Sequence, residues 1–146
     1  GYTTGRGLDI LGFGESAISS IGSTYAQNEK SLADYAERVE KGELPVYRGF
    51  LLSRDDEIRR ELLQELTCTF EVDLEALSRT FEIDASDVLA EDLGKLTGFV
   101  DDGLLRRDKE RFVITDRGKL FLRNICMVFD RYLNPDGSTP QYSKTI

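Results

Sequence analysis

The second half of the chain shows apolar residues at helical spacing. One apolar stripe recurs every four residues, at Ile58, Leu62, Leu66 and Phe70, which is one face of an α-helix. Ser53 precedes this stripe as a helix N-cap, and Asp56 three residues later completes a capping pair. The pattern predicts a helix that begins after Ser53 and packs its apolar face inward.

Further helical patterns and a hairpin follow this helix. A second, shorter helix is predicted over Asp73–Phe81, and a third over Ala85–Thr97 until Gly98 stops it. The stretch LLRRDKERFVIT predicts two short strands around a charged tip at Asp108–Glu110. Thr115 then caps a last helix. The order helix, helix, helix, hairpin, helix is that of a winged-helix domain.

Near the start, an apolar run precedes a glycine turn and a cluster of small residues. The run LDIL at residues 8–11 predicts a strand, and Gly12-Phe13-Gly14 predicts a tight turn. Small residues dominate the next positions, which we interpret as the start of a helix-like segment. So little bulk after a strand favours close approach by a ligand, a cofactor or another chain segment. A Gly-x-Gly pair without a full GxGxxG pattern favours a turn over nucleotide binding.

These patterns predict a mainly α fold with a small β component. Residues 1–28 would be the incomplete end of a larger β/α region, and residues 29–52 a connector with a helix over Leu32–Lys41. Residues 53–134 would form the helical, winged-helix-like domain, and residues 135–146 an irregular tail. Because a lone strand is unstable, we expect residues 1–28 to be poorly ordered, to pair with another copy, or to fold against the helical domain.

Composition excludes several classes of function. The 146 residues are 40% apolar and 32% charged, which is typical of one soluble globular domain. No run is long enough for a membrane span. The absence of histidine excludes a His-based triad or a usual zinc site. The cysteines, Cys68 and Cys126, lie in apolar helical patterns, so we expect reduced core thiols and a cytoplasmic protein. The chain begins at Gly1 rather than Met, and we expect a piece of a longer protein.

Charge is unevenly distributed along the chain. The net charge is −8, yet residues 103–123 carry seven basic and three acidic side chains. Residues 53–92 carry four basic and thirteen acidic side chains, including three on the predicted third helix, which argues against nucleic acid as a partner. The basic segment suits carboxylates, and Arg123 is its best candidate for a buried or ligand-facing guanidinium. An internal ion pair or a solvated basic face is the open alternative.

Two segments resemble a known family. GFGESAISSIGSTYAQN at residues 12–28 and RNICMVFDRYL at residues 123–133 are similar to the oxygen-independent coproporphyrinogen III oxidases. These are radical S-adenosylmethionine enzymes of haem biosynthesis, also called coproporphyrinogen dehydrogenases. Between and after the two segments, further family-like pieces occur in order: YRGFLLSRDDEIRR, AEDLGKL, DDGL, VITDRGKLFLRNIC and YSKTI.

The resemblance implies a specific chemistry for the longer protein. An N-terminal barrel would bind a [4Fe–4S] cluster through a Cys-x-x-x-Cys-x-x-Cys motif and cleave S-adenosylmethionine to a 5′-deoxyadenosyl radical. That radical would abstract hydrogen from propionate side chains of coproporphyrinogen III, and two of these side chains would each lose their carboxyl group as CO2 and become the vinyl groups of protoporphyrinogen IX. Neither Cys68 nor Cys126 stands in that motif, so the cluster ligands are expected outside this chain. The chain would be the last barrel strand plus the C-terminal domain, without a catalytic residue of its own, in a monomeric full-length protein.

The resemblance also implies site residues. Ile18, in the Ser-Ala-Ile-Ser segment, is expected to touch S-adenosylmethionine, with Gly14, Ser16 and Ala17 as its neighbours by position. The C-terminal domain is expected to cover the barrel mouth, with Arg123 helping to hold the anionic substrate. No metal ligand is expected in the chain.

Two other readings of the sequence remain open. The first is a winged-helix module that binds nucleic acid or another protein. The second is a haem chaperone related to the oxidases, against which the segment RNICMVFD favours the true oxidase.

Overall fold

A computed structural model describes residues 7–133, which form two compact units at residues 7–57 and 58–133. The division falls within the first turn of a long helix. Each unit contributes one three-stranded sheet, so the fold is a mixture of helices and strands and the β component is larger than the sequence predicted.

The first unit is an antiparallel sheet with one helix. Strands β1 (Ile18–Ile21), β2 (Thr24–Asn28) and β3 (Val46–Leu51) lie side by side in that order. Gly22, at φ +51°, allows the tight turn between β1 and β2. Helix α1 (Leu32–Glu40) connects β2 to β3, and the Ser31 side chain caps its start by accepting from the Asp34 N–H.

Several predictions for this region were wrong. The strand predicted at residues 8–11 is reduced to a single antiparallel bridge between Ile10 and Ser20. The small residues that follow the glycine turn form β1 rather than a helix-like segment, because β2 offers them a full antiparallel partner. The partner of β1 is therefore a strand of the same chain. Residues 46–51, which were predicted to belong to the connector, form the third strand of the sheet.

The second unit combines helices with a second antiparallel sheet. The long helix α2 (Arg54–Thr69) is followed by β4 (Glu71–Asp73), α3 (Leu74–Phe81), α4 (Ala85–Val88), α5 (Ala90–Lys95) and α6 (Thr97–Asp101). The hairpin of β5 (Leu105–Asp108) and β6 (Arg111–Ile114) precedes a 3-10 turn (Gly118–Phe121) and α7 (Leu122–Met127). The sheet order is β4-β6-β5, so β6 lies in the middle.

Apolar side chains from helices and sheet meet in one core in the second unit. Its most deeply buried members are Leu62, Leu66, Val72, Leu74, Leu77, Ala85, Leu89, Leu105, Phe112, Ile125 and Phe129. The stripe predicted on α2 faces this core, with Phe70 packed at its margin. Burial of these side chains is the main source of stability for the unit.

The helical unit differs from the prediction in three places: the third helix, the last helix and an unpredicted strand. The last helix, expected to begin after Thr115, starts as a 3-10 turn and is α-helical only over Leu122–Met127. The single helix expected over Ala85–Thr97 is broken at Leu89, whose ψ of 9° is not helical, and again at Leu96. Gly98 does not end the helical path, because α6 continues to Asp101. The breaks turn the chain while keeping Leu89 and Leu96 in the core. The hairpin and the second helix agree with the prediction, whereas the short strand β4 was missed.

Two predictions lie outside the described residues. They concern the irregular tail at residues 135–146 and its final YSKTI. The assignment of the remaining parts as barrel end, connector and C-terminal domain stays a prediction.

Candidate functional site

The loop from Gly12 to Ala17 leads into β1 and has an unusual backbone. Gly14 has a φ of +96° and Ser16 a φ of +55°, both in the left-handed region. For serine this conformation is unfavourable and requires support from neighbouring groups. The Ser16 N–H donates to the Glu29 carbonyl oxygen at 2.7 Å, and the Gly14 N–H donates to the Tyr35 hydroxyl at 3.1 Å.

Asn28 holds the same loop from the end of β2. Its side chain is buried, at 6% exposure, and its Nδ2 donates to the carbonyl oxygens of Gly12 at 3.1 Å and Gly14 at 2.9 Å. Its backbone N–H donates to the Ala17 carbonyl oxygen at 2.9 Å. Ser19, also buried, accepts the Gly12 N–H on its Oγ at 3.0 Å. The loop is therefore fixed by side chains of its own unit.

Gly12 is small because the chain itself comes close. A Cβ at this position would lie 2.9 Å from the carbonyl carbon and oxygen of Ile18 and 3.0 Å from the Ala17 Cβ. Close backbone approach was expected for the small residues, and at Gly12 the neighbour is β1 rather than a ligand. At Gly14 a Cβ would meet nothing within 4 Å, so there the glycine serves the positive φ.

Ile18 presents an apolar side chain at the end of this loop. It is 56% exposed, although its backbone is paired with Gln27. An exposed isoleucine on a fixed loop is suited to van der Waals contact with a flat ring. The backbone N–H and carbonyl groups of Gly12 and Gly14 are already hydrogen-bonded within the unit. Gly14, Ser16, Ala17 and Ile18 lie within five consecutive positions, and their contact with a cofactor stays a prediction.

Arg123 lies elsewhere, on α7 of the second unit. It is exposed, so of the two expectations for its guanidinium, buried or ligand-facing, the first is excluded. The exposure of Arg123 does not test its contact with a substrate carboxylate, which stays a prediction.

The second unit contains a buried ion pair beside a cleft of about 530 Å³. Arg59 Nη1 donates to Asp92 Oδ2 at 2.6 Å, and Lys95 Nζ reaches Asp92 Oδ1 at 3.1 Å. Hydrogen bonds that the Lys95 ammonium donates to the carboxylates of Glu91 and Asp92 raise the pKa of Lys95. The cleft is lined by equal numbers of cationic and anionic side chains: Arg59, Lys95, Arg131, Glu91, Asp92 and Asp130. This balance gives it no preference for an anion.

The described residues offer no site for an iron–sulfur cluster. Across residues 7–133 no group of three or more Cys, His, Asp or Glu side chains is arranged to hold a metal ion. The chain has two cysteines, fewer than a three-cysteine motif needs. Burial raises the pKa of the Cys126 thiol to about 11, which disfavours the thiolate that a metal requires.

No helix within residues 7–133 is both long and apolar enough to span a membrane.

Sequence reasoning identified the loop but missed the residues that hold it. Asn28, Ser19 and Tyr35 contact the loop across 7 to 21 positions of sequence. Such contacts leave no periodic signal. The sequence does contain Asn28 at the end of β2. Its contact with the loop can be recognised only when the pairing of β1 with β2 is known.

Comparison with known proteins agrees with this picture. Residues 52–121 match the family described as "HemN C-terminal domain". Over 146 residues the chain is 41% identical to the oxygen-independent coproporphyrinogen III oxidases of Escherichia coli K12 and Pseudomonas aeruginosa, and 33% identical to that of Helicobacter pylori 26695. Each comparison covers 100% of this chain and 32% of the relative. The chain therefore spans about one third of the length of these curated relatives.

A solved structure gives the same result. The coproporphyrinogen III oxidase (HemN) of Escherichia coli, described as a radical SAM enzyme, superimposes with a TM-score of 0.83 at 43% identity. The match covers 91% of this chain and 31% of that one. The resemblance seen in the sequence is confirmed: this chain is homologous to the C-terminal part of the oxygen-independent coproporphyrinogen III oxidases.

Proposed function

We propose that the protein containing this chain oxidatively decarboxylates two propionates of coproporphyrinogen III, giving protoporphyrinogen IX. The observation that carries the proposal is the correspondence over the whole chain, at 41% identity in sequence and a TM-score of 0.83 in structure. The chain by itself supplies no catalytic residue in this proposal. Its role is to complete the cofactor and substrate sites of the longer protein, which would act as a cytoplasmic monomer.

Ile18 is the proposed contact with S-adenosylmethionine. When bound at a [4Fe–4S] cluster whose ligands would lie in the N-terminal barrel, this cofactor would supply the 5′-deoxyadenosyl radical. The exposed Ile18 side chain would pack on the cofactor, while Gly14, Ser16 and Ala17 shape the adjoining edge. Support comes from the 56% exposure of Ile18. Beside it, the carbonyl groups of Gly12 and Gly14 are already hydrogen-bonded to Asn28.

The second unit is proposed to act as a winged-helix-like cover over the barrel mouth. The order of its elements supports that description: α2, β4, α3, the short helices and the β5–β6 hairpin. A cover would exclude water from a reactive intermediate. Arg123 on α7 is the proposed partner for a propionate of the substrate, because a guanidinium binds a carboxylate through two hydrogen bonds.

The arrangement of charge argues against nucleic acid as an alternative ligand. In a winged-helix protein the helix that would enter the major groove corresponds here to α4 and α5. These helices carry Asp87 and Glu91 on their exposed surface. Two carboxylates facing phosphates would weaken binding.

The test uses the full-length protein purified without oxygen and with its cluster reconstituted. With S-adenosylmethionine, a one-electron reductant for its cleavage, an electron acceptor for the remaining substrate electron and coproporphyrinogen III, we expect 5′-deoxyadenosine, methionine, CO2 and protoporphyrinogen IX. Absence of decarboxylation by a protein that contains an intact cluster would overturn the proposal.

A matched pair of variants tests the cofactor contact. Ile18→Ala removes the side chain proposed to touch the cofactor, and Ile21→Ala removes an exposed isoleucine from the same strand but its opposite face. We expect Ile18→Ala to weaken binding of S-adenosylmethionine about tenfold, as loss of a packed side chain would do. Equal effects of the two variants would argue against a specific contact.

A further inference from the structure

We infer that Asn28 is a positioning residue for the cofactor-binding loop, acting through the backbone of Gly12 and Gly14 rather than by touching the cofactor. The inference rests on the proposed function, because it takes Ile18 as the cofactor contact. The observation behind it is that one buried carboxamide holds two carbonyl groups of a loop whose conformation is strained.

The geometry of Asn28 is specific for an amide. Its Nδ2 carries two hydrogens and donates to two acceptors, Gly12 O at 3.1 Å and Gly14 O at 2.9 Å. At 6% exposure the carboxamide has little access to water as a substitute partner. A side chain of the same size without these hydrogens would place oxygen against two carbonyl oxygens. The position therefore requires a donor, and apolar packing alone does not satisfy it.

The hydrogen bonds act on the part of the loop that needs support. Gly14 and Ser16 both have positive φ, and Asn28 holds the chain on both sides of them, because its backbone N–H also donates to Ala17 O at 2.9 Å. Non-glycine residues persist in this region when surrounding contacts determine their conformation, and such residues are frequent at ligand sites.

Asn28 acts on Ile18 through the backbone of Gly12. The Gly12 backbone lies so close to the Ile18 peptide that an added Cβ would be 2.9 Å from the Ile18 carbonyl. Ser19, the next residue of β1, accepts the Gly12 N–H at 3.0 Å. Gly12 is thus fixed between Asn28 and the first two residues of β1. If Gly12 shifts, the Ile18 peptide has to move with it.

Asn28→Asp is the sharpest substitution, because it keeps the size and removes the donors. In the full-length protein with a reconstituted cluster, we expect affinity for S-adenosylmethionine, measured by equilibrium dialysis, to fall about tenfold. Cluster absorbance and the turnover rate at saturating cofactor should change little. Hydrogen exchange at the Gly12, Gly14 and Ser16 amides should become faster.

The pH dependence of cofactor binding gives a second readout for this variant. A carboxyl group facing two carbonyl oxygens favours its protonated form, which again provides one donor. The binding defect of Asn28→Asp should therefore shrink as the pH falls from about 8 to about 6, whereas the affinity of the unchanged protein should vary less.

Two further variants separate positioning from general stability. Val72→Ala opens a cavity in the core of the second unit, where Val72 is 2% exposed, and should lower stability without lowering cofactor affinity. Tyr35→Phe removes only the hydroxyl that accepts from Gly14 and should weaken binding about threefold, since one neutral hydrogen bond is lost. Tyr35→Phe keeps the inference testable if Asn28→Asp does not fold.

The outcomes are distinguishable. If Ile18→Ala weakens cofactor binding but Asn28→Asp and Tyr35→Phe do not, the positioning role is wrong and the proposed function stands. If Val72→Ala weakens binding as much as Asn28→Asp, the effect is one of stability and the positioning role is again wrong. If Ile18→Ala has no effect, the cofactor contact fails, and the role of Asn28 toward that cofactor fails with it.

Discussion

Arg59 and Asp92 form a buried ion pair that joins α2 to α5, with Nη1 and Oδ2 at 2.6 Å. Both side chains are largely enclosed, at 12% and 11% exposure. Arg59 Nη1 also donates to the carbonyl oxygen of Phe129 at 3.1 Å, beyond the end of α7. One guanidinium therefore ties three parts of the second unit together. A buried charge that loses its partner is much more costly than an exposed one.

Asp92→Ala should lower the free energy of unfolding by about 3 kcal/mol, because it leaves the Arg59 charge buried beside an uncharged side chain. Glu91→Ala is the matched control. Glu91 is the preceding residue and pairs with the same Lys95 at 2.8 Å, but it is 87% exposed, so its loss should change stability by less than about 0.5 kcal/mol. Urea unfolding followed by circular dichroism measures both. Similar losses for the two variants would contradict a special role for the buried pair.

Gly118 is fixed by its contact with the backbone of Leu104. A Cβ there would lie 1.9 Å from the Leu104 carbonyl oxygen and 2.8 Å from its carbonyl carbon. Gly118→Ala should therefore destabilise the chain by about 3 kcal/mol, since a backbone group has to move. Gly94→Ala provides the opposite case. Nothing lies within 4 Å of its Cβ position, and alanine in helix α5 should stabilise by up to about 1 kcal/mol. Thermal unfolding midpoints should move in opposite directions.

The helical unit was largely predictable because its pattern is local. The stripe of Ile58, Leu62 and Leu66 repeats every four residues, and all three side chains are buried as expected. The capping pair of Ser53 and Asp56 also forms, with Asp56 Oδ2 accepting from the Ser53 N–H at 2.9 Å. Periodicity and caps depend on residues three or four positions apart. They can therefore be recognised without knowing the rest of the fold.

The first unit was less predictable because its structure depends on pairing across the chain. Small residues such as Ser19 and Ser20 have no strong preference for strand or helix. Their conformation is decided by Ala26 and Tyr25 on β2, so tertiary context overrides propensity. The glycines alone were enough to single out the loop as a candidate, and its role at a cofactor stays a prediction. The burial of Asn28 was not predicted, because it follows from a three-dimensional arrangement that no short window contains.

Arg123 offers a test of the substrate site. In the full-length protein, Arg123→Ala should raise the KM for coproporphyrinogen III about tenfold, because the proposed charge-assisted contact with a propionate would be lost. The KM for S-adenosylmethionine should not change. Arg79→Ala removes another exposed arginine, on α3, whose partner Glu75 lies 3.9 Å away, and should leave both values unchanged. An unaltered KM for the porphyrinogen in Arg123→Ala would exclude the proposed carboxylate contact.

Cys126 should react slowly in the folded protein. Burial raises its pKa to about 11, whereas the pKa of an unfolded cysteine is about 8.5. At pH 8 the native thiolate fraction is thus smaller by about 100-fold or more, and iodoacetamide should modify native Cys126 correspondingly more slowly than the urea-unfolded chain. Mass spectrometry of the Cys126 peptide measures both rates.

The same shift links the stability of the chain to pH. The folded state keeps the Cys126 proton after the unfolded state has begun to lose it. This contribution is therefore complete below about pH 8.5 and is lost as the pH rises towards 11. Between pH 8 and pH 10.5 the urea midpoint should fall further in the unchanged chain than in Cys126→Ala, which shares all other titrating groups. Equal falls in the two proteins, or equal alkylation rates in the folded and unfolded chains, would show that the thiol is accessible and not desolvated.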